Sequence, residues 1–522
     1  MIACLFLLGT SAVLADTLWT RTYGSPYGGD DAPCAVLTDT FNNTTVVGSS
    51  AGAQGSGGSD FVVVKYSWFH GNTMWTKRIN KPDSSDNVAK AGAIDPTGKV
   101  CVTGQTGQSP NYNILTVQLD ANGNEVWRAI YDGTTHGADV GTAIATDSLG
   151  NVYVAGYTTG TTADYVTIKY NWDGTRAWAT TYDAGGDDKP TSIALGPDGS
   201  VYVTGRGNDN FATVKYSSSG VQQWASLYAG TYPGPDWAVA FAVDDSGNAY
   251  VTGVSRTAAG IGGLNHISTV KYDSAGVKKW DSHYNTDNCQ PAALALGPAA
   301  VYVVGQTPGH SGGPDYLTIA CNPATGDTLW TRIDSGPSGS SDAAVGVAVN
   351  SDSSIWVAGV SNYDFKTVLY APDGVEHWVE IFDSGSDDEA AAITLDKDNR
   401  IVVTGFVWAG SGYDIETVKF DTMPLAVAEP RNRVPISGCR FAVAPNPAVS
   451  GLATLSYGLA KAGAASVTVT GVDGRVVLVR SIETNGTNGT YPLDLRKLGA
   501  GVYIVRLESD GLAATQKLII GR

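Results

Sequence analysis

One strand recurs along this chain. GNVYVAG (150–156) comes back as GSVYVTG (199–205) and as GNAYVTG (247–253). Trp residues keep the same time: Trp19, Trp75, Trp127, Trp178, Trp224, Trp280, Trp330 and Trp378 stand 46 to 56 residues apart. A repeat of this period constrains the fold more than any composition does. A unit so small cannot bury its own faces and has to stack on copies of itself.

Each Trp from Trp75 onward follows a Gly by four residues, from Gly71 and Gly123 to Gly374. Between two Trp residues the order is constant. An Ala-rich segment (VGTAIAT, WAVAFAV) leads through a turn (DSLGN, GPDGS) into the VYVAG-type strand. A loop of variable length follows, then DYVTIKY or DFKTVLY, a tight turn (NWDG, APDG) and the Trp strand. Four strands per unit predict a β-propeller blade. Strands such as VYVTG are apolar on both faces, as a blade packed between two neighbours requires. The Ala-rich strand suits the crowded axis, and Gly and Asp suit the hairpin turns.

Eight VYVTG-type strands and eight Trp strands are present, out of frame by one. The first Trp strand, TLWTRTYG, precedes any complete unit, and the last unit (387–420) has no Trp strand after it. The N-terminal strand is therefore expected to complete the last blade. The expected fold is all-β: a propeller of about eight blades over 17–420, with seven as the alternative, followed by a second small domain.

The recurring pattern D-x-x-G-N-V-Y-V-x-G, then D-x-x-T-V-K-Y-x-x-x-G-x-x-x-W, resembles the SBBP family of bacterial β-propeller repeats. The resemblance covers roughly 17–420. The family name implies seven blades where this sequence counts eight. The resemblance implies an extracellular or surface protein and no catalytic activity.

After Phe420 the composition changes. DTMPLAVAEPRNRVPISG has three Pro and no repeat features, and reads as a linker over 421–438. Residues 439–522 carry nine Lys/Arg and five Asp/Glu, net +4, which leaves −21 on the rest of a chain whose total is −17. About seven short strands in this segment predict a small Ig-like β-sandwich. The order APNP, VTGVDGRVV, LGAGVYIVRL and QKLIIGR resembles the type A sorting domain of the type IX secretion system. The matching positions are Asn446, Pro447, Asp473, Gly474, Arg475, Gly501, Tyr503, Lys517 and Leu518. The resemblance implies the type IX machinery as a partner, and release outside the cell or attachment at the extracellular side of the outer membrane. An ordinary Ig-like stalk is the plainer alternative.

The start, MIACLFLLGTSAVLAD, is apolar, ends in small residues (Val13, Ala15) and is too short to span a membrane. It reads as a signal peptide over 1–15, although it lacks a basic leading segment. No transmembrane segment is expected. The negative charge, with no Lys/Arg stripe, argues against a nucleic-acid partner. Six Cys (Cys4, Cys34, Cys101, Cys289, Cys321, Cys439) form no C-x-x-C pair; Cys289–Cys321 is the one pairing that proximity suggests, and free buried thiols are the expectation.

Candidate sites are of two kinds. Asp31, Asp86, Asp139, Asp188, Asp236, Asp287, Asp342 and Asp388 precede the Ala-rich strand in every unit. They form either an acidic rim for cations or basic ligands, or a set of loop-fixing hydrogen bonds; a residue present in every blade favours scaffold. A second position, opening the third strand, holds Asp60, Asp164, Asp315, Asp364 and Asp414, with Asn113, Asn210 and His266 elsewhere. Trp408, Tyr413, Trp237, Tyr112 and Tyr363 lie in or beside loops of the same end and could stack on a glycan or protein ligand, or on one another. No H-E-x-x-H occurs, and no catalytic residue is assigned. NPATGDTLW and LDANGNEVW resemble the Trp-docking motif of eight-bladed quinoprotein dehydrogenases, which would be expected to show a vicinal Cys pair that this chain lacks. No cofactor is expected; Ca2+ is the one ion the carboxylates suggest. The expected function is binding or scaffolding outside the cell, and the alternative is a carbohydrate-active hydrolase or lyase using acidic residues.

Overall fold

A computed structural model describes residues 16–421 and 439–520, apart from 53–57, 81–85, 231–233, 257–264, 285, 287, 310–312, 337–339, 445–451, 460–462, 472–474, 484–487, 500 and 510–511. The expected leader (1–15) lies outside the described residues, as does all of the expected linker but Asp421. The chain divides into two compact units, 14–423 and the part that contains 424–522.

The larger unit is built from antiparallel four-stranded sheets, eight of them among the described residues. In chain order sheet 1 covers 31–79, sheet 2 86–131, sheet 3 139–182, sheet 4 189–228, sheet 5 237–284, sheet 6 290–334 and sheet 7 342–382. Sheet 8 takes three strands from 388–421 and its outer strand, Asp16–Tyr23, from the start of the chain. Asp16 pairs with Asp421 and Tyr23 with Ile415. First strands pack one against the next, and that of sheet 8 packs on that of sheet 1, which closes the ring.

Register explains the recurring glycine of VYVTG. Each first strand carries a β-bulge opposite it: pairing jumps from Pro190–Gly205 to Ser192–Thr204 in sheet 4, and likewise in all eight sheets. The bulge pushes a carbonyl against the second strand. A Cβ on Gly205 would lie 2.3 Å from the Lys189 oxygen.

The Trp and Gly of G-x-x-x-W serve different interfaces. The indole of Trp178 in sheet 3 lies over Gly220 in the outer turn of sheet 4, and its Nε1 donates to the Ser218 carbonyl at 3.2 Å. A Cβ on Gly220, whose φ is +84°, would sit 2.6 Å from that ring. The same latch joins Trp19 of sheet 8 to Gly71 of sheet 1. Buried apolar side chains fill the space between successive sheets, as where Tyr153 and Ala155 meet Val201 and Val203.

In the smaller unit a three-stranded sheet (439–444, 452–459, 488–494) and a four-stranded sheet (464–471, 476–483, 501–509, 512–520) enclose one core that includes Leu455, Val467, Val505 and Leu507. Leu518 is buried there, and the Tyr503 hydroxyl donates to the Gly499 carbonyl at 3.0 Å. Asn446, Pro447, Asp473 and Gly474 lie outside the described residues. No helix among the described residues is long and apolar enough to cross a membrane. Cys34, Cys101, Cys289 and Cys321 form no disulfide.

Candidate functional site

In a four-stranded meander the links between second and third strands, and those from one sheet to the next, share one end of the ring. The other end holds the short, uniform turns. At this loop end, two residues before the one facing the repeated glycine, register places Asp31, Asn87, Asp139, Asp188, Asp236, Cys289, Asp342 and Asp388. All eight are essentially buried. Two expectations are thereby corrected. Asp86 stands one residue early, facing Gly107, because its strand is longer; Asn87 takes the shared place and accepts from the Thr106 hydroxyl at 2.6 Å. Asp287 lies outside the described residues, and the shared place in sheet 6 belongs to Cys289, whose thiol donates to the Thr307 hydroxyl.

The carboxylates at this place face loop amides. Asp236 accepts from the Gly230 and Arg256 amides at 2.6 and 3.0 Å; Asp188 accepts from Ala184 and Asn208. One side chain thus ties the link arriving from the preceding sheet to the loop of its own sheet. Burial pushes the carboxyls of Asp31, Asp139, Asp188, Asp236 and Asp388 up, against the pull of these amides.

At two junctions further carboxylates converge. Asp164 and Asp183 of sheet 3 meet Asp188 of sheet 4, and 200 residues later Asp364 and Asp383 of sheet 7 meet Asp388 of sheet 8. In each group one oxygen from every carboxylate lies within 4.8 Å of the others, a spacing able to hold a cation. Burial raises Asp164 and Asp364, and the neighbouring carboxylates raise them further. In sheets 1 and 6 the same third-strand position is compensated: Asp60 pairs with Arg78 at 2.8 Å, and Asp315 accepts from the Ser335 hydroxyl at 2.9 Å. Sequence reasoning passed over Asp183 and Asp383; the signal was present as DAGGDD (183–188) and DSGSDD (383–388).

Three of the five candidate aromatics gather at the junction of sheets 7 and 8. Trp408 and Tyr413 face each other across their hairpin, ring centroids 5.1 Å apart and edge to face. The Trp408 amide donates to the Asp387 carbonyl at 3.0 Å, and the Asp388 amide donates to the Tyr363 carbonyl. Both loops are therefore anchored to the dipeptide Asp387–Asp388. Trp408 is 42% and Tyr363 55% exposed, and Tyr363 holds a left-handed backbone (φ 67°) that large residues seldom adopt. Tyr112 in the sheet 2 loop and Trp237, half-buried at the head of sheet 5, belong to other sheets.

The turn end has the opposite electrostatics. Asp147 accepts from the amides of Leu149 and Asn151 and from the Asn151 side chain, all at 2.8–2.9 Å. Asp39 and Asp244 repeat the motif. Burial alone would raise these three carboxyls; the donors outweigh it and hold them below the usual range.

Residues 442–521 match the family described as the secretion system C-terminal sorting domain, and residues 133–161 match the beta-propeller repeat family SBBP. The sorting-domain match indicates export through the type IX system. No curated protein shows significant similarity to the chain. Among solved structures, the quinohemoprotein alcohol dehydrogenase from Comamonas testosteroni is similar at a TM-score of 0.50 and 13% identity, covering 80% of this chain and 78% of its own. The quinohemoprotein alcohol dehydrogenase ADHIIG from Pseudomonas putida HK5 is similar at 0.50 and 14%, covering 83% and 79%. At these identities the likeness is one of fold, a β-propeller.

Proposed function

We propose that this chain is an exported eight-bladed β-propeller that captures a basic protein segment at its loop end, between the seventh and eighth blades. The 439–522 unit, read as an Ig-like sandwich, acts as the export signal. A leader over 1–15 starts the route, and cleavage within 421–438 leaves the mature propeller outside the cell.

One observation carries the binding reading: exposed Trp408 and Tyr363, with Tyr413, hang from Asp387–Asp388, beside the clustered carboxylates of Asp364, Asp383 and Asp388. Aromatic faces and crowded carboxylates together suit Lys and Arg side chains, by cation–π contact and by relief of mutual repulsion. The full chain titrated with a fluorescein-labelled Arg/Lys-rich peptide should show binding that weakens with salt. Trp408→Ala and Asp383→Asn should each weaken it about tenfold with an unchanged melting temperature, since both side chains are exposed. Binding that ignores both substitutions, or a glycan array that lights up in place of the peptide, defeats the reading.

A second reading draws on the same carboxyls. Asp364 and Asp388, both pushed up by burial, stand together with Asp383, and acid–base cleavage of a glycan uses such paired carboxyls. Reducing ends released from a polysaccharide panel by the native chain, and abolished in Asp364→Asn, would favour it over binding.

A further inference from the structure

The fifth sheet carries a set of polar side chains that meet in space. In the third strand, the residue paired with the repeated glycine is Val62, Leu115, Val166, Ala212 or Leu317 in five sheets, but Ser268 in sheet 5. Facing it across the pair stands His283, where sheets 2, 4, 6 and 7 carry Ile130, Leu227, Ile333 and Ile381 and sheets 1, 3 and 8 carry Arg78, Thr181 and Thr22. Two residues earlier, where the other outer strands carry Thr20, Thr76, Arg128, Ala179, Ala225, Thr331 and Val379, stands Asp281.

These side chains form one network. The Ser268 hydroxyl lies 2.9 Å from His283 Nδ1, and His283 Nε2 lies 3.6 Å from Asp281 Oδ2. The Tyr228 hydroxyl, reaching over from sheet 4, donates to Asp281 at 3.1 Å. Lys278 Nζ lies 3.1 Å from the other Asp281 oxygen and stacks over the Tyr228 ring at 5.4 Å. Burial pushes the Asp281 carboxyl up, but Lys278 and Tyr228 outweigh it and hold it ionised. The network opens on a cleft of about 410 Å3 between the outer strands of sheets 4 and 5, lined also by Leu227 and Tyr272. That volume is within the range of small-molecule sites, roughly 300–1,000 Å3. Sheets 7 and 8 also replace the apolar residue, with Lys366 and Glu416, but each is closed off by a partner: Asp334 at 2.7 Å and the Thr22 hydroxyl at 2.6 Å. In a stacked array, what every copy carries serves the stacking, and what one copy alone carries does not.

We propose that the cleft between sheets 4 and 5 is a binding site for a single neutral sugar unit. Asp281 accepts and Lys278 and Tyr228 donate, so hydroxyl groups find both kinds of partner within one ring's width. The Lys278–Asp281 pair leaves the lining without net charge, and a charged ligand would have to break it. Leu227, 45% exposed, offers the apolar wall on which the C–H face of a pyranose rests. The site is separate from the loop-end aromatics and stands whether or not those bind a basic segment.

Saturation-transfer NMR on the full chain with glucose, galactose, mannose and N-acetylglucosamine should show transfer to at least one of them. Tyr228→Phe keeps the ring and removes one hydrogen bond, and should weaken that sugar about 3- to 10-fold. Asp281→Asn should weaken it more, and Trp408→Ala should leave it unchanged. If Asp281→Asn fails to fold, Tyr228→Phe and Trp408→Ala still decide. No transfer from any of the four sugars, equal transfer in Tyr228→Phe, or a loss confined to Trp408→Ala overturns the proposal.

Discussion

A single methyl group tests the logic of the ring at residue scale. Gly205→Ala would drive a Cβ into the Lys189 carbonyl and to 2.6 Å from Pro190 Cα, with backbone on both sides and no side chain free to yield. Overpacking of this kind costs about 1–3 kcal/mol, and urea unfolding should show it. Glu416 offers a second residue-scale test. Burial raises its carboxyl to about 7; the Thr22 hydrogen bond opposes this, and the charges of Asp388 and Asp414 add to it. The folded state therefore holds a proton that the unfolded chain gives up near pH 4.5. Its contribution is complete below that pH and is lost as pH rises to about 7, on the order of 3 kcal/mol. Glu416→Gln should flatten the fall in melting temperature between pH 4.5 and 7; an unchanged slope would place the titration elsewhere.

At the scale of elements, the strand Asp16–Tyr23 bears most on stability. It gives sheet 8 its outer edge, seats Trp19 over Gly71, and sends Arg21 to the Gly71 carbonyl at 2.8 Å. Deleting 17–24 removes a strand and a latch and bares one strand edge at once, and should lower the melting temperature by about ten degrees or more in a differential scan. The four-strand unit and this frame shift were legible because strands and Trp residues can be counted. Register was not. Motif spacing took Asp86 and Asp287 as equivalent to Asp31, whereas pairing puts Asn87 and Cys289 there, and the first strand of sheet 2 begins one residue earlier in the register. The G-x-x-x-W spacing also left the partner of the Gly unread; it serves the Trp of the unit before. The sheet 5 cleft was invisible for the same reason: Ser268, His283 and Asp281 become neighbours only once two strands are paired and a third sheet element, Tyr228, is laid beside them.

At the scale of the whole molecule the two units differ in charge sign. A chain lacking 439–522 should keep a melting temperature close to that of the full propeller and accumulate inside the cell; mass spectrometry of culture medium and cell fractions would show it. Its appearance outside at native levels would remove the export role from this unit. The ring also imposes an order of events. Its closing partners are made far apart: Thr22 and Glu416, hydrogen-bonded to each other, are 394 residues apart. During synthesis the first strand therefore waits without a neighbour until nearly the entire propeller has emerged, and a ribosome that stops early releases an open arc with a bare edge at each end. The export signal is encoded after the closing strand. Every polypeptide long enough to carry the sorting domain thus already holds all it needs to shut the ring, whereas a shorter product keeps unpaired edges.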